Sequence, residues 1–426
     1  MKRSLVLAFF IHAILTIHGQ SISVKGKVTD ASDSSAIAFS NIYIQQQNRG
    51  THSNESGDFI LNVPYEAAND TLIVSAIGYR TFSIPVAAID TTILLQVRMK
   101  QETVILDDVV IKASRDTLGA LIQKAISRIP RNYPKKTFYL DGFYRELVLR
   151  DSLYVRLLEA AIGIQDKGFD NTTDGLRARV LAVRKSEDYI NYSLYTKVYK
   201  LMYGEKNNLY ETFKFDKIRT YNNEGFRFLE SITLKPYVFE LDSILSFEGE
   251  TIYVIQYAPL KNLGLMEHGK IYLNVNDYAI TRFEYNYVST DQTKFYKGID
   301  LSYRGNVLKS SVVEYRKRGK KYYLNFIKWT APVGGAWVTE NEEGEHAVQF
   351  YDCAFYVNAV YTKKRDFEKI KKRDSESREV DLYAKTHEYD ADFWNDYNMV
   401  LINPLYEAAK SDLEKDKKLE QQYYEN

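Results

Sequence analysis

Ala279-Ile280-Thr281-Arg282-Phe283-Glu284-Tyr285-Asn286-Tyr287-Val288 decides the fold class. Thr281, Phe283, Tyr285 and Tyr287 fall on one parity and Arg282, Glu284 and Asn286 on the other. Residues two apart share a face of a strand, so the run predicts a strand in a sheet with one wet side. Just upstream, Asn276-Asp277 reads as a tight turn after another strand-like run at 269–275. Residues 251–257 and 320–330 carry the same character, as do 154–164 and the group Phe138, Leu140, Phe143 and Tyr144. The middle of the chain is therefore expected to be one long antiparallel β meander.

The strand chemistry extends to the N-terminus. Ile22, Val24, Gly26 and Val28 lie on one parity, Gly57-Asp58 precedes Phe59-Ile60-Leu61-Asn62-Val63 as a hairpin does, and residues 72–77 are an apolar strand ending at Gly78. Short strands at this spacing without a helical period predict a small sandwich. Between sandwich and meander the period changes. Leu118, Leu121, Ile122, Ala125, Ile126 and Ile129 recur at three and four, giving one helical stripe that Pro130 is expected to end. That helix is expected to dock between the two halves.

The composition of the 426 residues suits such a chain: 45% hydrophobic, 35 tyrosines and only 8 prolines. Lysine plus arginine total 57 against 56 acidic residues, which argues against nucleic acid as a partner. One cysteine, Cys353, excludes intrachain disulfides and cysteine zinc clusters. Lys2-Arg3 followed by the apolar stretch 5–17 reads as a secretory signal peptide, too short to span a bilayer. Removing Lys2 and Arg3 leaves 55 basic against 56 acidic residues. No later segment is apolar enough for a membrane helix.

Val24-Lys25-Gly26-Lys27-Val28-Thr29-Asp30, Ala38-Phe39-Ser40-Asn41-Ile42-Tyr43-Ile44, Ser53-Asn54-Glu55-Ser56-Gly57-Asp58-Phe59-Ile60-Leu61 and Val74-Ser75-Ala76-Ile77-Gly78-Tyr79-Arg80 stand in a recognisable order. They resemble the carboxypeptidase-like regulatory domain. The resemblance implies a transthyretin-like or Ig-like seven-strand sandwich serving as an accessory module in Gram-negative envelope proteins, without implying peptidase activity. Leu106-Asp107-Asp108-Val109-Val110-Ile111 looks like the segment following this module in TonB-dependent transporters, although no transporter plug or long barrel follows here. The meander around Gly269-Lys270-Ile271-Tyr272 is similar to the curved sheets of periplasmic lipoprotein carriers, which would imply a half-barrel with a concave apolar face.

Chemistry-bearing residues are sparse. His52-Ser53-Asn54-Glu55 has the H-x-x-E spacing of zinc carboxypeptidases but has no identified distal histidine ligand, and a catalytic zinc needs three protein ligands. Glu342-Glu343-Gly344-Glu345-His346 and Glu267-His268 read as solvated turns, and His387, Asp390 and Asp392 as a polar loop. Cys353 sits in an apolar strand, where a thiol is ordinarily an inert core residue. No nucleophile elbow, phosphate loop or dinucleotide fingerprint occurs. Tyr189, Tyr192, Tyr195, Tyr199 and Tyr203 would line one face of a helix near 187–203. Tyr192 and Tyr199 are the candidate ligand-binding residues, as a packed face or as a platform for sugars or lipid tails.

The expectation is a mainly β protein: a signal peptide at 1–20, a seven-strand sandwich at 21–112, a linking helix at 113–136, a large antiparallel β domain at 137–362, and a charged linker with a helical tail at 363–426. Phe393-Trp394 is expected to pin that tail. The expected role is a non-enzymatic binding or scaffolding protein of the periplasm or outer membrane. Its expected partner is another envelope protein, a glycan or a lipid, with no cofactor, catalytic residue or metal assigned. The alternatives are a lipid or lipoprotein carrier and a hydrolase with an unrecognised carboxylate site.

Overall fold

The computed structural model describes residues 21–47, 49–102, 115–150, 153–169, 173–189, 208–221, 237–259, 265–289, 293–296, 299–302, 307–332, 338–340, 346–377, 381–385, 387–401 and 405–425. The leader, the 106–111 segment, Tyr192 and Tyr199 with the helix expected around them, and residues 342–345 lie outside that set.

The N-terminal part consists of β1 (Ser21–Asp30), β2 (Asn41–Ile44), β3 (Gly50–His52), β4 (Asp58–Pro64), β5 (Thr71–Ser75), β6 (Phe82–Pro85) and β7 (Leu95–Met99). They form a three-stranded sheet, β4-β1-β7, and a four-stranded sheet, β3-β2-β5-β6. Alternation supplies the shared core: Val24 and Val28 of β1 meet Phe59, Leu61, Ile42, Leu72 and Val74. Gly57 turns the chain into β4 at φ +79°, and a Cβ there would fall 2.2 Å from the Val28 carbonyl oxygen, so only glycine fits.

Beyond it come α1 (Arg115–Asn132), β8 (Phe138–Arg150), β9 (Leu153–Asp166), β10 (Leu176–Lys185), α2 (Asn208–Lys214), β11 (Tyr237–Phe247), β12 (Glu250–Pro259), β13 (Leu265–Asn274) and β14 (Ile280–Ser289). A small hairpin follows, β15 (Thr293–Tyr296) with β16 (Ile299–Ser302), and then β17 (Val307–Arg318), β18 (Lys321–Pro332), β19 (Val338–Glu340) and β20 (His346–Tyr361). One sheet runs β10-β9-β8-β20-β18-β17-β14-β13-β12-β11, with β19 paired to β20. Every pairing in it is antiparallel. The Asn276-Asp277 turn joins β13 to β14, and in β14 burial alternates from Thr281 to Asn286 as its sequence requires. Gly269 lets β13 approach β14, because a Cβ there would lie 1.9 Å from the Glu284 carbonyl oxygen.

The sheet is covered on both faces. On one, Leu118, Ile122, Ala125 and Ile129 of α1 pack with Ile162, Phe283, Tyr285, Ile327, Trp329 and Phe355. Each large apolar side chain buried there stabilises by about 2 kcal/mol. Two expectations for this helix are corrected. It lies on the face opposite the sandwich rather than between the halves, packed on the strand parity that carries Phe283, Tyr285 and Ile327. It also runs two residues past Pro130: a proline withdraws one N–H donor, and the last turn is held instead by Asn132 Nδ2 donating to the Asp277 oxygen at 2.9 Å and Tyr133 OH to the Ile280 oxygen at 2.6 Å.

The tail crosses the sandwich-bearing face as α3 (Ala391–Asp396), α4 (Leu405–Leu413) and α5 (Leu419–Glu425). Trp394 is 1% exposed against Phe143 and Tyr356, so the expected pin is present. The expected helical tail is broken between α4 and α5, where Gln422 Nε2 reaches back to the Leu413 and Lys417 oxygens. Among the described residues no helix is long and apolar enough to cross a membrane.

Candidate functional site

Opposite parities of the same strands build two polar constellations, one on each face. Val313 and Tyr315 of β17 enter the helix-side core, while Glu314 and Arg316 point to the sandwich. The Glu314 carboxylate accepts from Asn325 Nδ2 at 2.9 Å, Asn41 Nδ2 at 3.2 Å and Arg282 Nη1 at 3.3 Å. Burial raises the Glu314 carboxyl above its ordinary range, opposed by Arg282 and the two amides. The Arg316 guanidinium lies 3.5 Å from the centre of the Tyr43 ring and pairs with Glu248 at 2.9 Å, while Glu248 accepts from Ser75 Oγ at 3.0 Å. At the far end the Gly78 N–H donates to the Ser246 oxygen at 2.8 Å.

His52 lies in this seam between Phe326 and Tyr356, with ring centres at 5.7 and 5.5 Å. Among the described residues neither ring nitrogen has a hydrogen-bond partner. Burial, opposed only by the nearby Asn325 carboxamide, pushes the imidazole down to about 4. Glu55 does not converge with it, since its exposed carboxylate pairs with Lys328, which also holds Asp352 at 3.3 Å. His52 and Glu55 are therefore seam and rim rather than two ligands of one ion.

On the helix-bearing face, α2 and the following turn to residue 221 are seated on the sheet. Trp329 Nε1 donates to Thr212 Oγ1 at 2.8 Å, and the Arg219 Nη2 atom meets Asp166 Oδ2 at 2.5 Å with both side chains 0% exposed. Asp216 accepts from the backbone of Ile218 and Arg219, each at 3.0 Å, and from Tyr315 OH. Lys217 Nζ pairs with Glu267 at 2.9 Å, and Tyr257 OH donates to the same carboxylate at 3.0 Å. This corrects the reading of Glu267-His268 as a solvated turn: Glu267 is 3% exposed within β13, because Lys217 neutralises it from 50 residues away.

A third cluster occupies hairpin ends. Glu250 and Asp277 both bind the Lys317 ammonium, at 2.7 and 3.0 Å, and Tyr322 OH donates to Asp277 Oδ2 at 3.0 Å. An acid–base pair needs two different surroundings to separate its members. Here one ammonium serves both carboxylates, which is an ion-pair arrangement. Near the tail, Glu159 accepts from Arg145 Nε at 2.8 Å and Arg184 Nε at 2.7 Å, and the Arg184 guanidinium lies 4.6 Å from the Trp394 ring centre.

The remaining sequence candidates disperse. Asp390 Oδ1 accepts from Phe393 N at 2.9 Å and so caps α3, which occupies one member of the His387, Asp390 and Asp392 group. His346 begins β20 opposite Glu340. Cys353 is buried beside Tyr144 OH at 3.8 Å, with its thiol pushed well up by burial. Of the tyrosine run, Tyr189 is described: its N–H donates to the Val155 oxygen at 3.0 Å, and its ring packs with Val148 and Val155. No group of three or more His, Cys, Asp or Glu stands in metal-binding array among the described residues.

Comparison with curated proteins found no match. Among solved structures, similarity is found to an outer membrane lipoprotein-sorting protein domain from Vibrio parahaemolyticus (11% identity, TM-score 0.23, covering 58% of this chain and 95% of that one). A DUF1329 family protein from Desulfovibrio piger gives 9% identity, TM-score 0.23 and coverage of 56% and 92%. A LolA superfamily protein from Nitrosomonas europaea gives 11% identity, TM-score 0.20 and coverage of 57% and 93%. At scores this low the likeness carries no argument about the sheet domain. The sandwich is different: residues 24–111 match a family model, and this N-terminal module is a CarboxypepD_reg-like domain.

Proposed function

We propose that the chain is an exported envelope protein with a non-enzymatic binding or scaffolding role in the periplasm or at the outer membrane. The leader-like N-terminus and the CarboxypepD_reg-like module support the compartment. The seam carries the role. Asn41, Tyr43 and Ser75 of the module meet Glu314, Arg316 and Glu248 of the sheet domain in buried or half-buried contacts, so the module is fixed in one orientation on the sheet. A partner bound by both parts would meet a preassembled surface, which lowers the ordering cost of binding.

The second reading is a lipid or lipoprotein carrier. Its favouring observation is the wide apolar face of the sheet, over which α2 and the following turn are held by discrete ion pairs. Native mass spectrometry of the mature protein purified from its own envelope separates the two. A stoichiometric protein or glycan partner is the expected result. Co-purified acyl chains would transfer the assignment to carriage, and a bare chain mass would overturn the binding role.

A further inference from the structure

Between β20 and the tail, a strap crosses the β8–β10 end of the sheet carrying one tetrapeptide twice, Lys363-Lys364-Arg365-Asp366 and Lys371-Lys372-Arg373-Asp374. Each copy closes a 3-10 turn, with Asp366 N–H donating to the Lys363 oxygen at 3.1 Å and Asp374 N–H to the Lys371 oxygen at 3.0 Å. The chain between the copies is anchored. Phe367 stacks on Tyr139 at 4.5 Å, and Ile370 is fully buried, its N–H donating to Gln165 Oε1 at 3.1 Å and its oxygen accepting from Arg177 at 3.0 Å.

The described acids of the strap, Asp366, Glu368, Asp374 and Glu376, are engaged one by one. Asp366 faces Arg365 at 3.5 Å, Asp374 faces Arg373 at 3.4 Å, Glu368 pairs with Arg179 at 2.9 Å, and Glu376 pairs with Lys385. That leaves Lys363, Lys364, Lys369, Lys371 and Lys372 exposed and outside any ion pair among the described residues. Arg365 and Arg373 are themselves 79% and 78% exposed on their side chains. Concentrating like charge this way is unfavourable by itself, and buried anchors hold it in place on a molecule with almost no net charge.

We propose that the two basic turns form a docking surface for anionic lipid headgroups, with the lysine pairs of each turn meeting separate phosphates. The choice of a membrane over another polyanion rests on the envelope reading above, but the binding step is testable without it. Clustered basic residues gain attraction from an anionic bilayer within about a Debye length of its surface. The mature full chain is mixed with phosphatidylcholine vesicles containing or lacking phosphatidylglycerol, and partition is read by co-sedimentation. Wild type is expected to bind the anionic vesicles only and to be released by high salt. The variant Lys363→Gln, Lys364→Gln, Lys371→Gln, Lys372→Gln is expected to lose roughly tenfold or more of that partition, with an unchanged melting temperature showing that it folds. A control, Lys25→Gln with Lys100→Gln on the module, should bind as wild type does.

Equal binding to neutral vesicles, binding unchanged in the fourfold variant, or retention by heparin without retention by vesicles would each overturn the proposal. Failure of export is a separate result, seen as an unprocessed N-terminus in the cell.

Discussion

The seam can be probed through a single proton. His52 is neutral and enclosed, with its imidazole pushed down to about 4 from an ordinary 6.5. As pH falls below 6.5 the unfolded chain takes up a proton that the folded chain refuses until about pH 4, so acid favours unfolding across that window. One pH unit of difference is about 1.4 kcal/mol, so the penalty reaches about 2 kcal/mol at pH 5 and about 3 kcal/mol at pH 4. Other acids titrate too, among them the buried Glu314 and the half-buried Asp352. The comparison must therefore be with His52→Phe, which keeps the ring contacts to Phe326 and Tyr356 and cannot protonate. Urea unfolding of both proteins at pH 8, 7, 6, 5 and 4.5 should show near-parallel stability above pH 7 and a wild-type deficit growing as pH falls. Curves that stay parallel down to pH 4.5 would refute an unpartnered, buried His52 and with it the packing of the seam.

Other substitutions test the remaining geometry. Arg219→Ala strands the buried carboxylates of Asp166 and Asp216 and should cost about 3–5 kcal/mol in urea unfolding, whereas Arg219→Met together with Asp166→Asn should cost less. Trp394→Ala should cost about 3–5 kcal/mol. Trp394→Phe should cost much less, since the indole N–H has no hydrogen-bond partner among the described residues; calorimetric melting checks both. Gly57→Ala should lower the melting temperature through left-handed strain and a clash with the Val28 oxygen, at a cost of about 2 kcal/mol.

The strand content was legible because alternation is local. Thr281, Phe283 and Tyr285 announce their face without knowledge of any other strand. The module was legible for a related reason, since Gly57 and Gly78 mark turns whose backbone only glycine adopts easily. Buried charge was not legible. Glu267 beside His268 and Gly269 looks like turn composition, and only the arrival of Lys217 and Tyr257 makes its burial affordable. Arg219 and Asp216 raise the same difficulty, because a charge's burial depends on partners that spacing does not reveal. The side of the sheet chosen by α1 also escaped, since one apolar stripe fits any apolar surface. The repeated Lys-Lys-Arg-Asp turns stood in plain view and read as a solvated linker until Phe367 and Ile370 were found holding them down.

The seam also orders events in time. Its module side, Asn41 to Ser75, leaves the ribosome and enters any export channel long before Glu314, Asn325 and Tyr356, with 273 residues separating Asn41 from Glu314. The module has a core of its own and can close early, but His52, Asn41 and Tyr43 then wait in water for the last strands of the sheet. Contacts that distant in sequence form late, and a half-finished chain presents that waiting surface to whatever lies nearby. Correct maturation thus depends on the final third of the polypeptide reaching the module before another molecule does, and truncation after β16 would leave the module's seam uncovered beside a sheet split by the loss of β17, β18 and β20.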